Sequence, residues 1–138
     1  MQTKTLLGGL IAAIAAFLIG WLVFGILLMD FYMANMESYP GLMRETPELI
    51  YIFLGNLSWG VMLSYVFTIG NIHSPQRGAI VGAIIFSLIT LGFDLLFYGQ
   101  SRLFSLKLVA VDVIANIIIG LIIGALLGWW FSRGKSTS

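Results

Sequence analysis

Long apolar stretches alternate with short polar breaks along the chain. An α-helix needs about 20 apolar residues to cross the hydrocarbon core of a bilayer. Four stretches have that length: residues 6–29, 49–69, 79–98 and 106–131. The breaks between them contain turn-forming residues such as Pro40, Gly41, Asn71 and Pro75. The pattern predicts an all-α, four-transmembrane-helix bundle that forms a single integral membrane domain over residues 1–138.

The loop between the first two spans, residues 30–48, is the one sizeable segment expected outside the membrane. It contains several aromatic and methionine side chains and few charges: Phe31, Tyr32, Met33, Met36, Tyr39 and Met43. Such a composition is typical of an aromatic belt that anchors helix ends at the membrane interface. The alternative is a lid that folds over the bundle.

The composition excludes several classes of protein. Hydrophobic residues make up 59% of the chain and charged residues 9%, against roughly 25% charged in an ordinary soluble domain. A net charge of +1 gives no basic patch for nucleic acid. The absence of cysteine excludes thiolate chemistry, and the single histidine, His73, cannot form a multi-histidine metal site. We expect membrane lipids as neighbours and no cofactor.

Charge indicates the orientation. Four spans place both termini on one side, together with the basic residues Lys4, Arg77, Arg133 and Lys135, whereas the other side has Arg44, Arg102 and Lys107. The positive-inside rule therefore favours a bacterial inner-membrane protein with both termini in the cytoplasm. All six acids lie on or towards the outer side: Asp30, Glu37, Glu45, Glu48, Asp94 and Asp112.

Small residues recur four apart in every span, and such stripes let membrane helices approach closely. They are Gly8, Ala12, Ala16 and Gly20; Gly60 and Ser64; Ala79, Ala83 and Ser87; and Gly120, Gly124 and Gly128. We expect these stripes to pack within the bundle, with some left for a homodimer or a larger membrane complex. Asn56 and Asn116 each precede a glycine by four residues, which suggests that residues 6–70 and 79–131 are two parallel helical-hairpin repeats.

Asp94 and Asp112 are the most informative residues, because a carboxylate inside a membrane helix is costly unless it is paired, hydrated or protonated. Both are predicted at a similar depth near the outer ends of their spans. The candidate site is a polar cluster in the outer half of the bundle, whose members are Asp94, Asp112, Asn56, Asn116, Tyr98 and Trp59, with Asp30 above them at the surface.

Three interpretations of this cluster are open. In the first, Asp94 and Asp112 pair with Arg102 and Lys107, the asparagines bond across helices, and the cluster fixes helix register. In the second, the cluster binds or transports a small ligand, a cation or a proton, since adjacent carboxylates raise each other's proton affinity. The third is chemistry on a lipid or quinone, for which no catalytic constellation is found. A separate alternative is an accessory or scaffold subunit with no site of its own.

The chain resembles a group of small uncharacterised bacterial four-helix membrane proteins. The matching features are Gly20-Trp21, the run Gly25-Ile-Leu-Leu-Met-Asp30-Phe-Tyr32, Gly55-Asn56-Leu57 and the positions of Asp94 and Asp112. The resemblance implies a four-helix membrane fold over nearly the whole chain and assigns no function. The small multidrug-resistance transporters share the size, but they keep a glutamate in the first helix, which is uncharged here from Leu6 to Met29.

Overall fold

The computed structural model describes residues 2–134, and in that part of the chain the architecture is a bundle of five α-helices. The helices are α1 (Thr3–Leu22), α2 (Met29–Asn35), α3 (Leu49–Ile69), α4 (Pro75–Gln100) and α5 (Leu106–Ser132). Four of the helical stretches are long and apolar enough to cross a membrane: Thr3–Leu27, Leu49–Ile69, Pro75–Gln100 and Leu106–Ser132. The predicted all-α, four-span bundle is confirmed. Lys135, which was used above for orientation, lies outside the described residues.

The first span differs from the prediction in its second half. After Leu22 the backbone continues as a π-helical segment, Val23–Leu27, in which the Leu28 amide bonds the Val23 carbonyl. Leu28 then leaves helical geometry, with φ −106° and ψ 4°. A wider turn followed by a non-helical residue redirects the chain. The predicted loop at 30–48 therefore begins with a short helix, α2.

Side-chain caps and a proline fix where α4 and α5 begin. The Ser74 hydroxyl accepts a hydrogen bond from the Arg77 amide, and Pro75 occupies the first turn. The Ser105 hydroxyl accepts from the Leu108 amide in the same way. Both arrangements satisfy amides that an α-helix leaves free at its start. As a result α4 starts four residues before the predicted residue 79. It ends two residues after the predicted residue 98.

The helices pack as two hairpins, α1 with α3 and α4 with α5. The central helix is α5, which packs against each of the other four helices. Along their described lengths, α3 and α4 make no substantial contact with each other. The bundle is therefore closed on three sides and open between α3 and α4. That the two hairpins are related as repeats stays a prediction.

Glycines at the hairpin contacts bring the backbones together, and we call these contacts the glycine seams. In α4 the buried small residues are Gly78 and Gly82, where a Cβ atom would meet the carbonyl oxygens of Gly124 and Gly120. The predicted stripe on this helix, Ala79, Ala83 and Ser87, was wrong by one position. The predicted stripes Gly60 with Ser64 and Gly120 with Gly124 and Gly128 are buried at helix contacts. Gly20 has open space around it.

The end of the bundle that holds the termini, here called the termini end, is closed and cross-linked by hydrogen bonds. The hydroxyls of Thr5 and Thr68 lie 2.8 Å apart, and Ser64 donates to the Thr5 carbonyl over 2.6 Å. The Trp130 indole N–H donates to the Lys4 carbonyl over 3.1 Å. The buried apolar core also lies towards this end, with Phe67 at its centre. The opposite end, towards Asp94 and Asp112, is here called the acidic end.

Candidate functional site

A cavity of about 530 Å³ lies between α3 and α4, with α1 and α5 behind it. Five of the seven predicted site residues line it: Asp94, Asp112, Asn56, Asn116 and Trp59. Asp94 lies six residues from the end of α4 and Asp112 six residues from the start of α5. At 1.5 Å per residue, both are about 9 Å inside their helices. The two carboxylates therefore lie at similar depths, as the sequence predicted, and both line one cavity.

Asp94 is the most unusual side chain in the bundle. It is only 2% exposed, and its Oδ2 atom has no hydrogen-bond partner among the described residues. The carboxyl group of Asp112, the second acid in the cavity wall, lies close to Asp94. A buried charged group without a partner carries a large desolvation cost. The Asp94–Asp112 pair is therefore an acceptor site with unused capacity.

The basic residues expected as partners do not pair with these acids. Lys107 Nζ lies 5.8 Å from the centre of the Phe31 ring, and Arg102 is exposed. Within residues 2–134 the one ion pair joins Arg44 to Glu48, 3.3 Å apart and exposed. The interpretation in which α4–α5 loop cations neutralise the two aspartates therefore lacks its ion pairs.

The two asparagines bond within their own helices rather than across the bundle. Asn56 Nδ2 donates to the Ile52 carbonyl over 2.8 Å, and Asn116 Nδ2 donates to the Asp112 carbonyl over 2.9 Å. An amide that donates through its nitrogen keeps the two lone pairs of its oxygen for another partner. Both asparagines therefore add acceptor oxygens to the cavity wall.

Tyr32 is the site residue that the sequence analysis missed. Its hydroxyl donates a hydrogen bond to Asp112 Oδ1, and its ring meets the Phe24 and Phe31 rings edge-on, with centroids 5.6 and 6.0 Å away. Burial, reinforced by the Asp112 carboxylate, raises the pKa of the Tyr32 phenol above its ordinary value. The phenol therefore remains a protonated donor. The sequence feature that could have indicated Tyr32 is its position two residues after Asp30.

The segment that carries Tyr32 is tied to α5 and to the loop that precedes it. Met36 and Phe104 form an antiparallel bridge, and the Glu37 amide bonds the Leu103 carbonyl over 3.0 Å. Phe104 itself lines the cavity and stacks on Phe97 with centroids 5.3 Å apart. The first part of residues 30–48, α2 and the residues just after it, therefore packs on the bundle, and both interpretations of the loop stay predictions.

Two predicted members of the cluster are not at the cavity. Tyr98 is 42% exposed on α4, and Asp30 is exposed on α2. Neither lines the cavity. Asp94 and Tyr98 are four residues apart, which would place them on one helix face, but Tyr98 lies one turn beyond the cavity. Asp30 is on the same short helix as Tyr32, yet Tyr32 is the residue that reaches Asp112.

Apart from Thr90, the rest of the cavity wall is apolar, formed by aliphatic and aromatic side chains that include Leu63, Ile85, Phe86, Ile89, Phe93 and Ile123. A mostly apolar cavity with a few convergent polar groups is the usual form of a small-molecule site. Here the polar groups lie together and include two carboxyl groups. The arrangement is suited to holding a positive charge.

We expect Tyr32→Phe to loosen α2 without unfolding the bundle. The change removes the hydrogen bond to Asp112 and keeps the ring contacts, and a hydrogen bond to a charged group contributes about 1.5–3 kcal/mol. Hydrogen–deuterium exchange of the purified protein in detergent should become at least tenfold faster in residues 29–35 and stay unchanged in 115–124. Tyr51→Phe, at a tyrosine that is 67% exposed, is the control. Unchanged exchange in residues 29–35 would show that the phenol does not hold α2 in place.

Comparison with known proteins gives a family and no function. No curated protein and no solved structure matches the chain. A family model described as a protein of unknown function, DUF1761, matches residues 7–128. That match includes the four apolar spans almost entirely, together with Tyr32 and every residue that lines the cavity. The chain therefore belongs to the DUF1761 family of proteins of unknown function.

Proposed function

We propose that this membrane protein binds, and in the membrane transports, a small cation through the cavity between α3 and α4. The observation that supports the proposal best is Asp94, whose carboxyl group is 2% exposed, lines the cavity and has an unpartnered oxygen. Ionisable residues buried in membrane helices commonly mark ligand or ion pathways.

The polar groups around Asp94 support the same conclusion. Asp112 lies close to Asp94, and its side chain accepts a hydrogen bond from the Tyr32 phenol, which is neutral. Asn56 and Asn116 contribute further oxygens. Among residues 2–134, no basic residue lines the cavity. A cation that entered would find compensation for its lost hydration, and it would in turn offset the cost of the buried acids.

Charge also supports an orientation. Lys4, Arg77 and Arg133 lie at the termini end, where the Lys4 amine donates to the Arg133 carbonyl over 2.9 Å. By the positive-inside rule we place both termini on the cytoplasmic side of the membrane. We take that membrane to be a bacterial inner membrane. The cavity then lies in the outer half of the bilayer, and its ligand comes from outside the cell or from the outer leaflet.

The alternative, an accessory subunit without its own site, loses part of its support. The small residues of the seams contact one another inside the chain. Association with a second copy or a larger complex stays a prediction that now rests on the span glycines with open space around them, namely Gly20, Gly55, Gly92 and Gly99.

The deciding experiment compares Asp94→Asn with Asp30→Asn in proteoliposomes and in detergent. Flux of protons, sodium, potassium and methylammonium is measured in liposomes, and thermal stabilisation by each salt is measured in micelles with tetramethylammonium chloride as the reference. We expect at least one of these cations to be moved or bound by the wild type, and Asp94→Asn to reduce the effect at least tenfold.

Asp30→Asn is the matched control, because Asp30 is an exposed aspartate away from the cavity. It should leave flux and stabilisation at the wild-type level. If folded Asp94→Asn protein behaves as the wild type does with every cation, or if the wild type responds to none, the cation-binding proposal is wrong.

A further inference from the structure

We infer that the ligand is a protonated primary amine on an apolar body, which reaches the cavity sideways from the lipid between α3 and α4. The inference rests on the proposed function and specifies its ligand class and route. Three features support it: the hydrogen-bonding character of the polar groups, the size and lining of the cavity, and the position of its opening.

The polar groups beside Asp94 offer acceptors. Asp94 Oδ2 is unpartnered, and Asp112 accepts from Tyr32 through one of its two oxygens. Asn56 and Asn116 each use one of the two amide N–H groups on their own helix, and both amide oxygens are free to accept. An ammonium group has three N–H donors, whereas a quaternary ammonium has a charge and no N–H donor. The acceptor arrangement therefore favours a primary amine over a quaternary one.

The cavity is much larger than a bare cation or a proton requires. At about 30 Å³ per water molecule, a volume of about 530 Å³ corresponds to roughly 18 waters. Most of that space is bounded by apolar side chains such as Ile89, Phe86 and Phe93. An apolar body would fill this part of the cavity and gain from leaving water, whereas a hydrated inorganic ion would not use it.

The opening lies where α3 and α4 fail to meet. Trp59 on α3 and Phe93 on α4 both line the cavity, and they are 50% and 59% exposed. These residues are inside the apolar spans, so what they are exposed to in a membrane is lipid. At the acidic end, α2 and the residues after it are tied to the bundle by the Tyr32–Asp112 hydrogen bond and the Met36–Phe104 bridge. The accessible route therefore leads from the hydrocarbon layer.

The same lining separates a simple amine from an aminophospholipid headgroup. A phosphate next to the amine would need basic or donor groups, and in the described part of the chain no lysine, arginine or histidine lines the cavity. Lys107, the nearest candidate on α5, has its amine at the Phe31 ring. We therefore favour an amine without an attached phosphate.

The test uses four probes. Phenethylamine, 2-phenylethanol and trimethyl(2-phenylethyl)ammonium share one apolar body, and dihexanoylphosphatidylethanolamine is the phospholipid probe. Binding to wild-type and Asp94→Asn protein in phosphatidylcholine nanodiscs is measured by isothermal titration calorimetry. We expect phenethylamine to bind at least tenfold tighter than the other three probes, and Asp94→Asn to remove that preference.

The outcomes separate this inference from the proposed function. If sodium, potassium or protons act through Asp94 while phenethylamine does not bind, the cation site stands and the amine assignment is wrong. Equal binding of the amine and the alcohol, or of the trimethylated probe, also overturns the assignment. Preferred binding of the phospholipid probe would assign the site to a lipid headgroup instead. If no cation of any kind acts through Asp94, both proposals fail.

The route is tested by the fluorescence of Trp59, taken as the difference between wild type and Trp59→Phe. In nanodiscs whose acyl chains are brominated, Trp59 should be quenched by lipid, and phenethylamine should relieve at least half of the quenching. If aqueous acrylamide quenches Trp59 while brominated lipid does not, the cavity opens to water and the lateral route is wrong.

Discussion

Gly82→Ala is expected to separate the α4–α5 hairpin or to prevent its folding. A Cβ atom at Gly82 would meet the Gly120 carbonyl oxygen and lie 2.8 Å from the Gly124 Cα. These are backbone atoms, so they cannot move aside as the end of a flexible side chain would. Overpacking in a well-packed core costs about 1–3 kcal/mol, and a backbone clash belongs at the upper end. We expect a loss of about 3 kcal/mol in the free energy of unfolding, measured in micelles by circular dichroism.

Gly92→Ala is the matched control on the same helix. Nothing lies within 4 Å of a Cβ atom at Gly92, and alanine favours a helix over glycine by about 1 kcal/mol. This variant should be as stable as the wild type or slightly more stable. If the two variants lose equal stability, the close approach of α4 and α5 is not what holds the hairpin together.

The fold was largely predictable because the membrane imposes it. Each apolar stretch must satisfy its backbone internally, and a helix is the way a single segment can do so. The register of the seams was harder to predict. Gly78 and Ala79 are adjacent small residues, as are Gly82 and Ala83, so the spacing of small residues alone does not choose between the two faces. The glycines of α5 determine which face of α4 packs against them, because Gly120 and Gly124 contact Gly82 and Gly78.

The site was predictable where it depended on depth along a helix, and not where it depended on a bend. Counting residues from the span ends placed Asp94, Asp112 and Asn56 at compatible depths, and these residues line one cavity. Tyr32 could not be found in that way. It reaches Asp112 because the π-helical segment and the non-helical Leu28 redirect α2 over the bundle, and nothing in the apolar pattern of the first span indicates the bend.

The stability of the bundle and the proposed function make opposite demands on Asp94. The termini end is packed and hydrogen-bonded, for example through Ser64 and Thr5. The acidic end instead has a cavity and a buried carboxyl oxygen without a partner. Proteins commonly retain such destabilising features at functional sites. If Asp94 fixed helix register instead, its replacement would weaken the fold.

Asp94→Asn is therefore expected to stabilise the ligand-free protein while it abolishes cation binding. Asparagine keeps the shape of the side chain, removes the charge and can donate to the Asp112 carboxylate. Removing one unsatisfied buried group should raise the free energy of unfolding by about 1–3 kcal/mol. The measurement is thermal unfolding in micelles without added amine. Ser64→Ala is the control: it removes a satisfied hydrogen bond from a fully buried residue and should cost about 1 kcal/mol. A destabilised Asp94→Asn would instead assign Asp94 to helix register, because a residue that holds the bundle together cannot be neutralised without loss.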